Sequence, residues 1–250
     1  MNPLRSTFLA LSEQRGLRAV AERSAVGRRL SGRFVAGVRV EDAIRATREL
    51  NARGISVTLD ALGENVLEEA QAVRAAGTYH ALLDAIARER LDANVSLKLT
   101  QMGIDLGGGV AEGIVRKLAE KAGSIGSFVR VDMEGSAYTE ATIELVRRIH
   151  AMHGKIGIVI QAYLRRSEED VRALLFDGIR IRLCKGAYQE PAEIAFAEKA
   201  EVDANYVRLM QVLLTSGVFH GLATHDEAMV REAKAFAQAH AIAPQSFEFQ

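Results

Sequence analysis

The chain has 250 residues, 48% of them apolar, enough to bury a sizeable core in one α/β barrel or in one to two smaller domains. Thirty-two basic residues balance thirty-two acidic ones, which removes any electrostatic case for nucleic acid or a strongly acidic partner and confines charge to local roles. The single cysteine, Cys184, excludes an internal disulfide framework and any cysteine-rich metal site, and it points to a reducing compartment.

The opening MNPLRSTFLALSEQRGLRAV lacks the apolar core of a signal peptide, and no apolar run reaches the roughly 20 residues that span a bilayer, so the expectation is a soluble chain. A small amphipathic patch resting on a membrane would leave little trace in such a sequence. Residues 4 to 53 read as about three helices, with Arg5, Arg15, Arg18, Arg23, Arg28, Arg29 and Arg33 on a solvated basic face. The last of these helices, VEDAIRATRELNARG from Val40, stops at Gly54. The organisation expected is residues 1–54 as helices packing on a barrel and residues 55–250 as that barrel, one functional domain.

From Ser56 the pattern changes to short β-branched runs alternating with stretches of helical period, the signature of βαβ units. The strands expected are SVTLDAL from Ser56, NVSLKLT from Asn94, FVRVDME from Phe128, IGIVIQAY from Ile156, IRIRLCKG from Ile179, FHGLATH from Phe219 and SFEFQ from Ser246. Between the first two, Val66, Leu67, Ala70, Val73, Leu82, Leu83 and Ile86 recur at helical spacing as a sheet-covering face. Thr139 and Ser167 stand where they could cap the helices after the third and fourth strands. GIDLGGGVAEG from Gly103 is glycine-rich but reads as a loop, since no ribose-binding acid follows a GxGxxG turn. A strand count near eight with right-handed crossovers favours a (β/α)8 barrel over an open doubly wound sheet. The seventh strand ends at Gln250, so the barrel as written is incomplete or non-standard.

Polar residues recur where these apolar strands end: Asp60, Lys98, Asp132, Gln161, Arg182 with Lys185, Thr224 with His225, and Glu248 with Gln250. A buried charge is costly unless paired, so one at nearly every strand end fits a shared polar pocket at a barrel's catalytic face. Lys98 alternates with Leu97 and Leu99 and either points inward, toward a carboxylate or Asp132, or snorkels from an edge. Arg130 and Asp132 share a face, as a structural ion pair or as pocket groups. In RLCKGAY, Arg182 and Cys184 share a face and Gly186 stands at the strand exit, where a glycine admits close approach of a ligand or simply makes a turn. Cys184 reads as a packing residue. His150 and His153 are one helical turn apart on the surface with no carboxylate to complete a metal motif, so no metal is expected. His225 is a pocket donor or a helix cap, with Asp226 competing for the cap.

Taken together, LDALGE, VSLKLTQMGID, VRVDMEGSAYTEAT, IGIVIQAYLRRSEED, RLCKGAYQEP, ATHDEAM and FEFQ resemble the ordered motifs of the monofunctional bacterial proline dehydrogenases, from about residue 40 onward. Cys184 stands where that family usually has valine. The resemblance implies a distorted (β/α)8 barrel holding FAD noncovalently and oxidising L-proline to 1-pyrroline-5-carboxylate, with a quinone or another acceptor taking the electrons, in the cytoplasm or at the inner face of the membrane. It implies that Arg182 lies against the reactive side of the flavin, that Gln161 bonds the flavin, and that Met133, Lys185, Gly186, Ala187, Thr224 and His225 contact other parts of FAD. It further implies that Lys98 binds the proline carboxylate, Asp132 organises that ion-pair network and Tyr188 packs beside the substrate. An eighth strand and a helix with a Tyr-x-x-Arg-Arg pattern would lie beyond Gln250, so the expectation is a partial chain that binds proline poorly. No motif bears on oligomeric state. Two other readings are a barrel lyase using Lys98 or Lys185 as a Schiff base and a non-enzymatic scaffold acting through the N-terminal helices.

Overall fold

The computed structural model describes residues 35–250, and the helices expected before Val35 lie outside the described residues. The contacts divide the chain into one unit ending at Ser56 and a second from Val57 to Gln250. In the first, helix α1 (Val40–Asn51) opens with the Asp42 carboxylate accepting from the Arg39 amide at 3.4 Å. It ends short of Gly54, whose φ of +73° turns the chain away from helical geometry.

The second unit runs β1 (Val57–Asp60), α2 (Glu69–Glu89), β2 (Ala93–Leu97), α3 (Val110–Ser124), β3 (Val129–Val131), α4 (Thr139–His153), β4 (Ile156–Gln161), α5 (Ser167–Phe176), β5 (Arg180–Cys184), α6 (Lys199–Leu214), β6 (His220–Leu222), α7 (Glu227–Ala239) and β7 (Phe247–Phe249). All seven strands are parallel and lie side by side in chain order. That order explains the architecture. Right-handed crossovers that always step the same way put every helix on one face, and strand twist then curls the bare face inward. A doubly wound sheet needs a reversal of strand order, and there is none. The result is a curled half-barrel of α/β type.

Strand alternation sorts the two faces. Val95, Leu97, Val129, Val131, Ile158, Ile160, Ile181, Leu183 and Leu222 are buried beneath the helices, each contributing about 2 kcal/mol by removal from water. The opposite set, Ser96, Arg130, Gln161, Arg182 and Glu248, faces the concave side, with Ser96 paired to Arg130 and Gly221 paired to both Arg182 and Glu248. At Gly157 on that face a Cβ would come within 2.5 Å of the Arg180 carbonyl oxygen and 2.6 Å of the Phe128 ring.

Three local expectations change. The stripe of α2 that packs on the sheet is Ala72, Ala76, Tyr79, Leu82, Leu83 and Ile86, while Leu67 and Val73 are exposed and Val66 and Leu67 precede the helix. Small alanines let the helix lie close to the sheet, which a search for large apolar residues overlooks. Thr139 and Ser167 do not cap: Tyr138 and Arg166 hold the cap positions, and the Ser167 hydroxyl instead donates to the Gln161 carbonyl at 2.6 Å. His150 and His153 are half-buried rather than on the surface, with His150 Nδ1 3.3 Å from the Ile156 carbonyl. The stretch from Gly103 is a loop with one 3-10 turn (Ile104–Leu106), followed by three glycines of positive φ that deliver the chain into α3.

Candidate active site

The C-terminal ends of the strands open into one cavity of about 520 Å³. Its walls include Lys98 after β2, Asp132 and Met133 after β3, Gln161 ending β4, and Arg182, Lys185, Gly186, Ala187 and Tyr188 along and after β5. Thr224 and His225 follow β6. All eleven residues that the family resemblance implied therefore line the same space, whereas Asp60, Glu248 and Gln250, the other polar strand ends, are not in its lining. Val159, Cys184, Ala223 and Asp226 join them.

Asp132 is the electrostatic centre. The β3 ladder carries its amide, which donates to the Leu97 carbonyl at 2.8 Å, and so fixes its carboxylate over the concave face. That carboxylate pairs with the Arg182 guanidinium and accepts from the Ser96 hydroxyl at 2.5 Å, and its second oxygen lies 3.7 Å from Lys98 Nζ. Lys98 points inward, not to an edge, and also meets Asp60 at 3.3 Å. Burial alone would lower the Lys98 ammonium, but the carboxylates of Asp60 and Asp132 outweigh it, so its pKa lies above the ordinary lysine value. Arg182 is further held by Ser96 Oγ at 3.1 Å and Gln250 Oε1 at 3.2 Å.

Arg130 and Asp132 share a face without forming the structural ion pair that was one of the two readings. Arg130 instead donates to Thr58 Oγ1 at 3.2 Å and reaches Glu248 and Gln250 at 3.5 Å. Burial, with the neighbouring Arg182 charge, drops its pKa to about 10. It stands one layer below the cavity as a support, linking β3 to β1 and β7.

At the β5 exit, Lys185 lies between Asp203 of α6 at 2.5 Å and Asp226 at 2.7 Å. Asp226 also caps α7 through the Ala228 amide at 3.0 Å, so the cap belongs to Asp226 and leaves the exposed His225 facing the cavity. The Lys185 ammonium, followed by the Ala228 amide, holds the Asp226 carboxyl far below the usual carboxylate range. At Gly186 φ is +114° and a Cβ would overlap the Tyr163 ring, so the glycine lets the backbone lie on Tyr163 at the strand exit while still lining the cavity. Cys184 lines the cavity instead of packing in the core, and burial pushes its thiol to about 11, leaving it protonated at neutral pH.

Sequence reasoning missed Ser96 and Asp203. Ser96 was detectable, because it lies two residues before Lys98 and so shares its strand face. Asp203 sits on a helix, and nothing in its helical spacing connects it with Lys185. Among the described residues no cluster of His, Cys, Asp and Glu could hold a metal ion, and no helix is long and apolar enough to cross a membrane.

A family model described as proline dehydrogenase matches residues 43–250. The chain is 37% identical to proline dehydrogenase 1 of Bacillus subtilis over 99% of its own length and 82% of that protein's. It is also 37% identical to a proline dehydrogenase of Deinococcus radiodurans, over 88% of this chain and 73% of the relative. A solved structure of proline utilization A from Bdellovibrio bacteriovorus, inactivated by N-propargylglycine, superposes with a TM-score of 0.84 at 25% identity. It covers 97% of this chain, which in turn spans only 30% of that longer protein. Proline utilization A from Bradyrhizobium japonicum shares the fold, with a TM-score of 0.77. Because the matched segment contains every strand whose end lines the cavity, and full-length relatives agree on the activity, this chain belongs to the proline dehydrogenase family, the oxidoreductases that open proline catabolism.

Proposed function

We propose that the cavity binds FAD and L-proline side by side and yields 1-pyrroline-5-carboxylate, with the electrons passing on to a quinone. The observation that carries this reading is the convergence of two cations, Lys98 and Arg182, on the single carboxylate of Asp132 at the barrel mouth. Proline brings a carboxylate and a reduced flavin brings a second negative charge, and two separate cations suit two anions.

The donor set fits a flavin. Arg182 offers a guanidinium whose plane is set by Asp132, Ser96 and Gln250, Gln161 has an amide N–H beyond the one it gives to the Glu134 carbonyl, and the Gly186–Ala187 backbone is exposed at the rim. Lys185 commits two of its three N–H groups to Asp203 and Asp226, leaving one for a cofactor oxygen. Met133, Thr224 and His225 supply the remaining walls. Bound FAD would act as the hydride acceptor.

The chain's own residues do the rest. Lys98, permanently charged at neutral pH, anchors the substrate carboxylate; Asp132 keeps Lys98 and Arg182 apart yet oriented; Tyr188 packs against the ring. The relative inactivated by N-propargylglycine supports this substrate class, since that compound is itself a secondary amino acid. Asp132 already serves Arg182, Ser96 and Lys98, so the proton leaving the proline nitrogen passes to water at the open rim. A Schiff-base lyase is disfavoured: it needs a neutral amine, whereas the Lys98 pKa is raised and Lys185 is held by two carboxylates.

Titration of the FAD-reconstituted protein with L-proline under anaerobic conditions should bleach the flavin absorption. A protein that takes up no flavin, or whose bound flavin stays oxidised at saturating proline, overturns the proposal.

A further inference from the structure

We propose that Glu190 is a positioning residue: its carboxylate latches the loop after β5 onto the loop after β3 and holds Tyr188 over the cavity, setting the affinity for the amino-acid substrate. This rests on the reading of Tyr188 as a substrate contact. Residues 186–189 form an exposed run, but Glu190 turns inward and is half-buried. One of its carboxylate oxygens accepts from the Ser136 amide at 2.7 Å and the other from the Ser136 hydroxyl at 2.6 Å. On the other side of Tyr188, the Ala187 amide donates to Gln161 Oε1 at 3.4 Å, and Gln161 Nε2 donates to the Glu134 carbonyl at 2.9 Å.

Both fastenings thus end on one three-residue segment, 134–136, and Tyr188 lies within the span between them. The same segment is tied to the opposite wall. The buried Glu134 carboxylate accepts from the Thr100 amide at 3.0 Å and the Thr100 hydroxyl at 2.5 Å, two residues beyond Lys98. One anchor therefore sets the gap between Tyr188 and Lys98. Glu190 does not line the cavity, so it acts through Tyr188. A span of exposed backbone loses a fastening at its end when such a carboxylate is removed, and the side chain it carries samples more positions.

Steady-state kinetics of the flavin-loaded full chain separate the possibilities. Glu190→Ala should raise KM for proline roughly tenfold, with kcat within about threefold and flavin content unchanged. Tyr188→Ala should raise KM as much or more, and the double variant should be no worse than Tyr188→Ala alone. A Tyr188→Ala variant with unchanged KM removes the reading of Tyr188 and the latch with it. If Tyr188→Ala raises KM while Glu190→Ala does not, or if their effects add, the latch alone fails. The chain contains no tryptophan, so Tyr188→Trp supplies a sole tryptophan, excited selectively over the tyrosines. In the flavin-free protein, its acrylamide quenching should rise about twofold on adding Glu190→Ala, and unchanged quenching overturns the proposal. Should Glu190→Ala not fold, Ser136→Ala, which removes one of the two bonds, carries the same comparisons.

Discussion

Asp132 faces two cations, and a second carboxylate, Asp60, shares Lys98 with it. Asp60 is itself positioned by the buried Tyr79 hydroxyl at 3.1 Å, so the Lys98 ammonium is aimed from two sides before any substrate arrives. Such preorganisation means that ligand binding need not reorder the charges. Lys98→Ala should raise KM for proline roughly 100-fold, about 3 kcal/mol, while leaving flavin content unchanged, as read by steady-state kinetics and absorbance. Arg182→Met should instead slow flavin reduction about 100-fold at saturating proline, measured by stopped flow, with little change in the unfolding midpoint. The two variants divide the substrate cation from the cofactor cation.

The elements that build the rim are not only strands. Helix α6 sends Asp203 and the cap of α7 sends Asp226 to the same lysine, so Lys185 joins the β5 exit to two helices. The exit itself depends on Gly186, where the backbone lies against Tyr163 at a φ that side chains rarely adopt. Gly186→Ala should destabilise the protein by roughly 1–3 kcal/mol in urea titrations and lower the flavin recovered with it, because the displaced backbone includes Ala187.

At the scale of the molecule, His220 is a buried fastening between neighbouring strands. Its Nδ1 accepts from the Ile181 amide at 3.0 Å, which leaves Nε2–H to donate to the Ser216 hydroxyl at 2.9 Å. Burial drops its pKa to about 4, and a proton on Nδ1 would also forfeit the bond from the Ile181 amide. The unfolded chain takes up a proton near the ordinary histidine value of about 6.5, which the folded form refuses until about pH 4. The stabilisation is therefore complete above about pH 6.5 and is lost as pH falls toward 4, by up to roughly 3 kcal/mol. Thermal melts across that window should show the decline, and His220→Gln should flatten it. We further propose that the division near Ser56 marks a cleavable boundary, with limited proteolysis cutting ahead of Val57 and leaving the half-barrel intact.

The sequence by itself determined the seven strands, their parallel pairing in an α/β barrel-like fold and the residues that meet at the mouth. Period-two alternation and the right-handed crossover are local or nearly local rules, and residues such as Lys98, Asp132 and Arg182 stand at strand ends where those rules alone put them on one face. Only the tertiary structure decided who pairs with whom. Arg130 and Asp132 share a face, yet Arg130 turns to Glu248 and Asp132 to Arg182, because partners across a curled sheet come from strands far apart in the chain. For the same reason Ser136 and Glu190, on separate loops, showed no sequence relation until the fold closed the distance. Gly186 was marked as special by its motif, but that it also accommodates the Tyr163 ring depends on a contact between two strand exits, which spacing along one strand cannot encode.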